Sequence, residues 1–230
     1  MVCFIRLQKQ TILEMTMEKK FKIPIAAEGL KLISLVLIFS ACMFISGYNV
    51  IGLISLIITL FFMFFFRDPN RDVPEGDHII VSPADGKIVS IKEIFENDYL
   101  HMDVKRISIF LSVFNVHINR IPIGGKVERV QYIPGKFHIA AVEKASLENE
   151  QTAIVISDGQ RKMLVKQIAG IIARRIACYV KPGDMVQKGA RFGMIYFGSR
   201  TDIFLPKDAE IKVKLGDRVK GAKDIIAILK

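Results

Sequence analysis

The feature that most constrains this chain is a stretch of 35 residues without a charged side chain, from Leu32 to Phe66. A helix that crosses the hydrocarbon core of a bilayer needs about 20 apolar residues. The stretch is therefore long enough for two short helices, and the polar segment Ser46–Asn49 near its middle is suited to a tight reversal. We predict a hydrophobic helical hairpin at 30–66 that anchors the chain in a membrane.

The charges beside this stretch indicate on which side of the membrane its ends lie. Lysines precede it in a basic extension predicted over 1–29, and Arg67 and Arg71 follow it. Positive charges at both ends favour the cytoplasmic side for both, which agrees with a hairpin better than with one long helix. The formal net charge of the chain is +10, which favours contact with anionic lipid headgroups. Nucleic acid is not expected as a partner, because the charge is dispersed and no basic-aromatic motif accompanies it.

Beyond Arg67, short runs rich in β-branched residues alternate with Gly, Pro and Asp turns. Segments such as "GKIVSIKEI", "KRISIFLSV" and "TAIVISD" have the length of strands, and turn residues separate them. We therefore predict one mostly β domain of the α+β class over 67–230, with a compact sheet or barrel-like core. Helices are expected in this domain only at 141–151 and at 170–180.

The C-terminal third contains a short internal repeat. A Gly-Asp-x-Val segment followed by another glycine occurs at 183–189 and again at 216–221. Paired turns of this kind resemble the hammerhead halves of lipoyl- and biotinyl-type barrels, in which a modifiable lysine stands at the hairpin tip between the halves. The C-terminal half is thus predicted to be lipoyl-like in fold. At the place of the carrier lysine, however, this chain has Gly198-Ser199-Arg200.

Three segments contain residues that are able to do chemistry. Ser199 follows Gly198 in "YFGSRTD", His117 ends an apolar run in "FLSVFNVHINR", and Asp85 lies in the turn "SPADG". Taken singly, each has an ordinary structural explanation in a turn or a packed side chain. Together they are the residue types of a nucleophile, a base and a group that orients the base. An ordinary serine hydrolase is not favoured, because no second glycine completes a Gly-x-Ser-x-Gly elbow.

These segments, in this order, resemble the phosphatidylserine decarboxylase family in its short, membrane-anchored form. The resemblance covers nearly the whole chain from about Ile25, and it includes "FFFRDPNR", "SPADGKIV", "SIFLSVFNVHINRIP" and "GDMVQKGARFGMIYFGSRTDIFLP". It implies a proenzyme that cuts itself between Gly198 and Ser199 into a β chain, 1–198, and an α chain, 199–230. The resemblance further implies that Ser199 becomes a pyruvoyl group that forms a Schiff base with phosphatidylserine, releases CO2 and yields phosphatidylethanolamine.

The resemblance also implies roles for the other two residues. His117 would act as base on Ser199 and as proton donor in the decarboxylation, and Asp85 would orient His117. Another branch of the family has a second histidine three positions after the first, where this chain has Arg120. Either His117 therefore serves both steps or His138 takes one of them.

For substrate binding the candidates are Arg120, Arg200 and His138, the arginines through the phosphate or carboxylate of the lipid. A solvated surface position is the alternative for both arginines. The implied cofactor is the pyruvoyl group alone, without pyridoxal phosphate and without a metal, and the histidines and cysteines show no metal-ligand spacing. The implied partners are phosphatidylserine in the membrane, the two chains of the cleaved protein as a heterodimer, and further copies of the same chain.

One alternative of a different class remains open, a non-enzymatic, membrane-tethered adaptor of lipoyl-like fold. It explains the hairpin and the repeat, but it leaves "SPADG" and "FNVHINR" unexplained. An adaptor stays in one piece, whereas the decarboxylase is cut. For the decarboxylase we expect a position at the cytoplasmic face of the cell membrane.

Overall fold

The computed structural model describes residues 24–135, 149–170, 176–196 and 198–230. Within them the chain divides into two compact units. The first consists of the residues up to Met63 together with Arg67–Asn70, and the second of Phe64–Phe66 together with Arg71–Lys230. Most of the predicted basic extension, His138 and most of the helix expected at 141–151 lie outside the described residues.

Two apolar helices, α1 (Ala27–Ile45) and α2 (Asn49–Phe65), account for the uncharged stretch. The backbone reverses between them at Gly47, whose φ of +81° lies in the left-handed region that favours glycine. The hydroxyl of Ser40 donates a hydrogen bond of 2.8 Å to the carbonyl oxygen of Gly52, which links α1 to α2. The predicted helical hairpin is therefore confirmed.

The two ends of the hairpin are paired with each other. Ile25 forms an antiparallel β-bridge with Arg67, and the amide of Asp68 donates to the carbonyl oxygen of Pro24 at 2.7 Å. By length and composition α1 is able to cross a membrane, and α2 is a shorter apolar helix. The chain thus leaves the hairpin beside the place where it enters.

Apart from the end of α2, the regular elements described in the second unit are strands. In chain order they are β1 (Ile79–Val81), β2 (Gly86–Glu96), β3 (Met102–Leu111), β4 (Ile118–Arg120), β5 (Gly125–Ile133), β6 (Gln151–Ser157), β7 (Lys162–Ile168), β8 (Ile176–Cys178), β9 (Met185–Val186), β10 (Arg191–Ile195), β11 (Ser199–Pro206), β12 (Glu210–Ile211), β13 (Arg218–Val219) and β14 (Ile225–Ile228). They form a curled eight-stranded sheet in the order β13-β2-β3-β11-β7-β6-β5-β9 and two three-stranded sheets, β1-β14-β12 and β4-β10-β8. The predicted mostly β domain is confirmed.

The helix expected at 170–180 is wrong in its described part. Residues 176–178 form β8, which pairs antiparallel with β10. Ala177 lies opposite Met194, and Cys178 lies opposite Gly193. Pairing with a neighbouring strand outweighs local helix preference in so short a segment.

The core lies on the concave face of the large sheet. Alternate residues of a strand point to opposite faces of the sheet. On this face the apolar side chains of the four central strands are fully buried and form one cluster. They are Ile107, Ile109 and Leu111 of β3, Ile203 and Leu205 of β11, Met163 and Val165 of β7, and Ile154 and Ile156 of β6. A smaller apolar cluster, which includes Leu164 and Phe204, covers the opposite face. Strand β11 is therefore buried on both faces.

The strand order shows that the domain is built from two equivalent halves. Half A consists of β1–β3 and β11–β14, and half B consists of β4–β10. From one edge the strands of the large sheet follow in the order β13, β2, β3 and β11, and from the other edge in the order β9, β5, β6 and β7. Strands at the same place in these two series are equivalent, and the two halves meet where β11 pairs with β7. Each three-stranded sheet likewise has the same arrangement in its half. An approximate twofold axis thus passes near the pair Ile203–Val165 at the centre of the large sheet.

The two Gly-Asp turns of the sequence repeat occupy equivalent places in the two halves. The amide of Lys181 donates to Asp184 Oδ2 at 3.0 Å, and the amide of Lys214 donates to Asp217 Oδ2 at 2.8 Å. The glycine before each aspartate has φ of +98° in one turn and +94° in the other. The pairing of two halves that the hammerhead resemblance predicts is present, but it extends over the whole domain.

In the sequence pattern the two copies of the repeat end at Gly189 and Gly221, but in the structure the second copy ends one residue later, at Ala222. Gly189 donates its amide to the carbonyl oxygen of Ile121 at 2.8 Å, and Ala222 donates to that of Ser82 at 2.9 Å. Both have positive φ, +80° and +62°. Ala222, and not Gly221, is therefore the structural equivalent of Gly189.

A second repeat, which sequence inspection did not single out, opens each half. "HIIVSPADGK" at 78–87 and "HINRIPIGGK" at 117–126 share histidine, proline, glycine and lysine at the same spacing. The carbonyl oxygen of His78 accepts from the amide of Leu229 at 2.9 Å, and that of His117 accepts from Ile195 at 3.2 Å. His78 and His117 are therefore equivalent positions.

Ser199 lies where one half is inserted into the other. Half B enters half A between β3 and β11, and Ser199 opens β11 opposite Leu111, the last residue of β3. In half B the equivalent strands are joined by a short turn, in which the amide of Asp158 donates to the carbonyl oxygen of Arg161 at 3.2 Å. Ser199 thus takes the place that Arg161 has in the uninterrupted hairpin.

Substitution of two adjacent glycines, Gly124 and Gly125, will test the packing at the start of β5 in half B. A Cβ on Gly125 would lie 2.2 Å from the carbonyl oxygen of Ser157, whereas a Cβ on Gly124 would meet nothing closer than 3.5 Å. Overpacking of this kind costs about 1–3 kcal/mol. We expect Gly125→Ala to lower the midpoint of thermal unfolding by several degrees and Gly124→Ala to leave it nearly unchanged. Equal midpoints for the two variants would contradict the tight approach at Gly125.

Candidate active site

Ser199 is a buried serine at the start of β11. It is 0% exposed, and its hydroxyl has no hydrogen-bond partner among the described residues. By strand alternation its side chain shares the concave face with Thr201 and Ile203. A buried hydroxyl without a partner costs about 1–3 kcal/mol, so this serine is not placed there for stability.

Gly198 supplies the peptide bond before this serine. Its φ of +58° lies in the left-handed region, which costs other residues about 1–2 kcal/mol. A Cβ at this position would meet no atom of the described residues within 4 Å. The backbone conformation, and not the space, therefore favours glycine before Ser199.

His117 is a fully buried histidine immediately before β4. Its Nδ1 lies 3.0 Å from the carbonyl oxygen of Asn115, which assigns the proton of the neutral ring to Nδ1 and leaves the lone pair on Nε2. The ring packs on Phe65, with 4.4 Å between ring centroids. Since the His117 carbonyl accepts from Ile195, the histidine lies beside the end of the strand that leads into Ser199.

Asp85 lies in the turn before β2 and accepts hydrogen bonds from a side chain and from a backbone amide. Arg71 Nη2 donates to Oδ2 at 2.8 Å, and the amide of Gly221 donates to Oδ1 at 2.7 Å. The turn is tied to the strand of His117, because the amide of Arg120 donates to the carbonyl oxygen of Pro83 at 2.9 Å. Arg71, which the sequence suggested only as a flanking charge, is thus the ion-pair partner of Asp85. The predicted orientation of His117 by Asp85 stays a prediction.

The two arginines proposed for substrate binding are buried rather than solvated. The guanidinium of Arg200 holds Asp202 through Nε–Oδ1 at 2.6 Å and Nη2–Oδ2 at 3.2 Å, and it donates to Ser108 Oγ at 2.6 Å. These groups lie on the sheet face opposite to Ser199. Arg120 Nη1 donates to the carbonyl oxygen of Gly189 at 3.3 Å. The charge of Arg200 is therefore balanced inside the protein, on the far side from the serine.

Three further polar side chains, which we call the polar trio, lie in the core on the same face as Ser199. They are Asn119, Gln167 and Thr201, each 0% exposed. Asn119 Nδ2 donates to Thr201 Oγ1 at 3.1 Å, and Gln167 Nε2 donates to Asn119 Oδ1 at 2.8 Å. The sequence alone did not single them out, because their proximity depends on the pairing of distant strands.

Other groups with chemical potential lie elsewhere. Burial raises the pKa of the Cys178 thiol, which makes it a poor nucleophile at neutral pH. Among the described residues no group of three or more His, Cys, Asp and Glu side chains is placed to hold a metal ion. A cavity of about 640 Å³ lies at the opposite end of the large sheet, beside His78 and Arg161. By the twofold relation it is the counterpart of the region around His117 and Ser199.

The arrangement does not favour a carrier or adaptor. A carrier lysine must be exposed to reach its partners, whereas the residue at the corresponding place, Ser199, is fully buried. What the described residues offer instead is a buried serine hydroxyl, a glycine with left-handed φ before it and a buried histidine beside the end of β10. These are the groups required for acyl transfer from a backbone carbonyl to a serine.

Comparison with known proteins agrees with this chemistry. A model of the family described as phosphatidylserine decarboxylase matches residues 58–227. A protein of Geotalea uraniireducens is 44% identical over 90% of this chain and 97% of its own length, and one of Syntrophus aciditrophicus is 49% identical over 75% and 82%. A protein of Syntrophotalea carbinolica is 45% identical over 90% and 97%. All three are named phosphatidylserine decarboxylase proenzyme, and the chain belongs to the phosphatidylserine decarboxylase family.

Proposed function

We propose that this protein is a self-processing proenzyme that becomes a phosphatidylserine decarboxylase by cutting its own backbone between Gly198 and Ser199. The observation that carries the proposal is the buried Ser199 hydroxyl without a partner among the described residues, directly after a glycine with left-handed φ. Family membership and the relatives named as proenzymes support it. The substrate and its product, phosphatidylethanolamine, follow from the name of the family.

The first step is the transfer of the Gly198 acyl group from nitrogen to oxygen. Ser199 Oγ attacks the carbonyl carbon of Gly198, and His117 accepts the hydroxyl proton at Nε2. The carbon–nitrogen bond then breaks, the nitrogen of Ser199 takes up a proton, and an ester replaces the peptide bond.

The second step breaks the ester by elimination. A base removes the proton from the Cα of residue 199, the electron pair forms a Cα–Cβ double bond, and the Gly198 carboxylate leaves with the oxygen. One water then hydrolyses the dehydroalanine, releases ammonia and leaves a ketone at the new amino terminus. The products are a β chain that ends at Gly198 and an α chain that begins at residue 199.

The strand pairing explains why the two chains stay together as a heterodimer. Strand β11 pairs with β3 from Ser199 to Pro206 and with β7 on its other edge. It is also buried on both faces. Cutting before its first residue leaves these contacts in place, so the α chain remains a central strand of the sheet.

The residues around Ser199 fit the pyruvoyl group that this cleavage would leave. A pyruvoyl group supplies a ketone that captures the amine of the substrate and takes up the electron pair left by departing CO2. His117, on the neighbouring strand end, would deliver a proton to the reacting carbon. Phe65, packed on the His117 ring, would exclude water from that side. The new chain ends at 198 and 199 would separate and admit the lipid headgroup.

Mass spectrometry of the purified protein tests the proposal. We expect two chains, of 198 and 32 residues, the smaller with a blocked amino terminus that reacts with hydrazines. Carboxyl-labelled phosphatidylserine in mixed micelles should release labelled CO2. A folded protein that remains one chain of 230 residues and releases no CO2 would overturn the proposal.

We further propose that the division into a basic extension at 1–29, an anchor at 30–66 and a catalytic domain at 67–230 describes the working protein at the cytoplasmic face of the cell membrane. The paired ends of the hairpin support it, since both flanks then lie on one side of the bilayer. The basic flanking residues favour the cytoplasmic side.

Charges placed on the hairpin will test this anchoring. Leu35 and Ile57 are 67% and 58% exposed, and an aspartate within a membrane helix costs about 2.5–3.5 kcal/mol. We expect Leu35→Asp combined with Ile57→Asp to move the protein from the membrane pellet to the supernatant after ultracentrifugation. The matched control, alanine at both positions, should stay in the pellet. An aspartate variant that sediments fully with membranes would contradict the role of the hairpin as anchor.

A further inference from the structure

The twofold relation allows the polar trio to be compared with the equivalent residues in the other half of the domain. Each of its members has an equivalent on the other side of the axis, at the same depth in the same core. These equivalents are apolar and 0% exposed: Ile80 for Asn119, Leu205 for Gln167 and Met163 for Thr201. The fold therefore packs this layer without polar groups where no reactive serine lies beside it.

Keeping the trio in the core has a structural cost. Buried amides and hydroxyls destabilise a protein unless they are hydrogen-bonded, and Gln167 Oε1 has no partner among the described residues. A Cβ on Gly193 would come too close to the carbonyl oxygen of Ala177 on the neighbouring strand β8, and it would lie 2.6 Å from Gln167 Nε2. The equivalent residue on the other side is Ala227, which lies opposite Ile80 as Gly193 lies opposite Asn119. Glycine at 193 thus leaves room both for the backbone of β8 and for the Gln167 amide.

The hydrogen bonds of Asn119 connect the segments of all three predicted catalytic residues. Asn119 itself lies two residues after His117, and on a strand such residues share a face. Its Nδ2 donates to Thr201 Oγ1, two residues after Ser199, at 3.1 Å. The same nitrogen lies 3.5 Å from the carbonyl oxygen of Pro83, in the turn that contains Asp85.

We propose that the polar trio positions Ser199 against His117 for self-cleavage. The bond between Asn119 and Thr201 fixes the relative height of their two strands, and Gln167 holds the Asn119 amide in the orientation that donates to Thr201. The three are positioning residues, because they act through Ser199 and His117 and not on the reacting atoms. This inference rests on the proposed self-cleavage.

Removal of one hydroxyl tests the inference with little change in volume. In Thr201→Val the acceptor of Asn119 Nδ2 is lost, and misplacement of reacting groups by about 1 Å costs on the order of 100-fold in rate. Cutting of newly made, full-length chain should be followed by gel densitometry between pH 6 and 9. We expect Thr201→Val to cut about 10- to 100-fold more slowly than the unmodified protein. Thr201→Ser, which restores the hydroxyl, should cut within about threefold of it.

The pH dependence separates positioning from mere loss of stability. In the unmodified protein the rate should rise as the base becomes deprotonated, whereas Thr201→Val should lose this rise and respond only to hydroxide. Met163→Leu, at the equivalent position across the axis, is the matched control and should keep both the rate and the rise. Gln167→Met takes the place of Thr201→Val if the latter does not accumulate as folded protein.

The outcomes distinguish this inference from the proposal on which it rests. If the unmodified protein is never cut, the proposed function fails. If the unmodified protein is cut and Thr201→Val is cut at the same rate with the same pH dependence, only the positioning role is overturned. It is also overturned if Thr201→Val and Met163→Leu slow cutting equally for the same loss of thermal stability.

Discussion

Replacement of Ser199 by alanine will leave the protein as one chain of 230 residues without decarboxylase activity. Alanine keeps the buried β-strand position but lacks the oxygen that must attack the Gly198 carbonyl. Without cleavage no ketone forms at residue 199, so CO2 release from phosphatidylserine should fall to background. Intact-mass measurement and assay of labelled CO2 on the same preparation will show both effects.

The stability of this variant distinguishes a chemical role from a structural one. Because the Ser199 hydroxyl has no hydrogen-bond partner among the described residues, its removal should not lower the thermal midpoint. Ser90 provides a matched control, since its Oγ is likewise buried without a partner among those residues. Ser90→Ala should be cut and active like the unmodified protein. A cut or active Ser199→Ala protein would overturn the self-cleavage mechanism.

The sequence was sufficient for the hairpin and for the class of the domain. A long uncharged stretch has few folded solutions other than membrane helices, and Gly47 lies within the predicted polar reversal at 46–49. Alternating apolar residues between turns likewise indicate strands. Both features depend only on residues that are close together in the sequence, and for that reason they can be predicted without a structure.

The architecture of the domain was only partly predictable. The Gly-Asp turns at 183 and 216 revealed a repeat, but the insertion of one half into the other separates β3 from β11 by 87 intervening residues. The match between 78–87 and 117–126 was present in the sequence and would have shown that the repeat includes the N-terminal strands. Only the pairing of distant strands shows that Ser199 lies at the point of insertion.

The electrostatic partners in the site were beyond sequence reasoning for the same reason. Arg200 has the residue type of a phosphate ligand, yet Asp202, two positions later on the same strand face, neutralises it. From the sequence Arg71 is only a charge that follows the hairpin, yet it pairs with Asp85 in the turn before β2. Whether an arginine binds substrate depends on what already balances its charge, and that is a property of the packed structure.

Replacement of His117 by glutamine will slow self-cleavage by about 100- to 10,000-fold, the usual contribution of a general base. Glutamine can accept a hydrogen bond but cannot take the proton of Ser199 at neutral pH. The dependence of the cutting rate on pH should change as well. In the unmodified protein the rate should fall as acid protonates the base, and this fall should be absent in His117→Gln.

His78 is the appropriate control for this prediction, because the domain itself duplicates the position. His78 and His117 precede equivalent strands, and the carbonyl oxygen of each accepts a hydrogen bond from the equivalent backbone amide. They differ in two respects: His78 is exposed, and in its half of the twofold relation Arg161 stands at the position equivalent to Ser199. If the histidine served only to start its strand, His78→Gln and His117→Gln would have similar effects. We expect His78→Gln to be cut at the normal rate, so that only replacement of the buried histidine affects the chemistry. Normal cutting of His117→Gln would instead assign the base to another residue, with His138 as the next to be replaced.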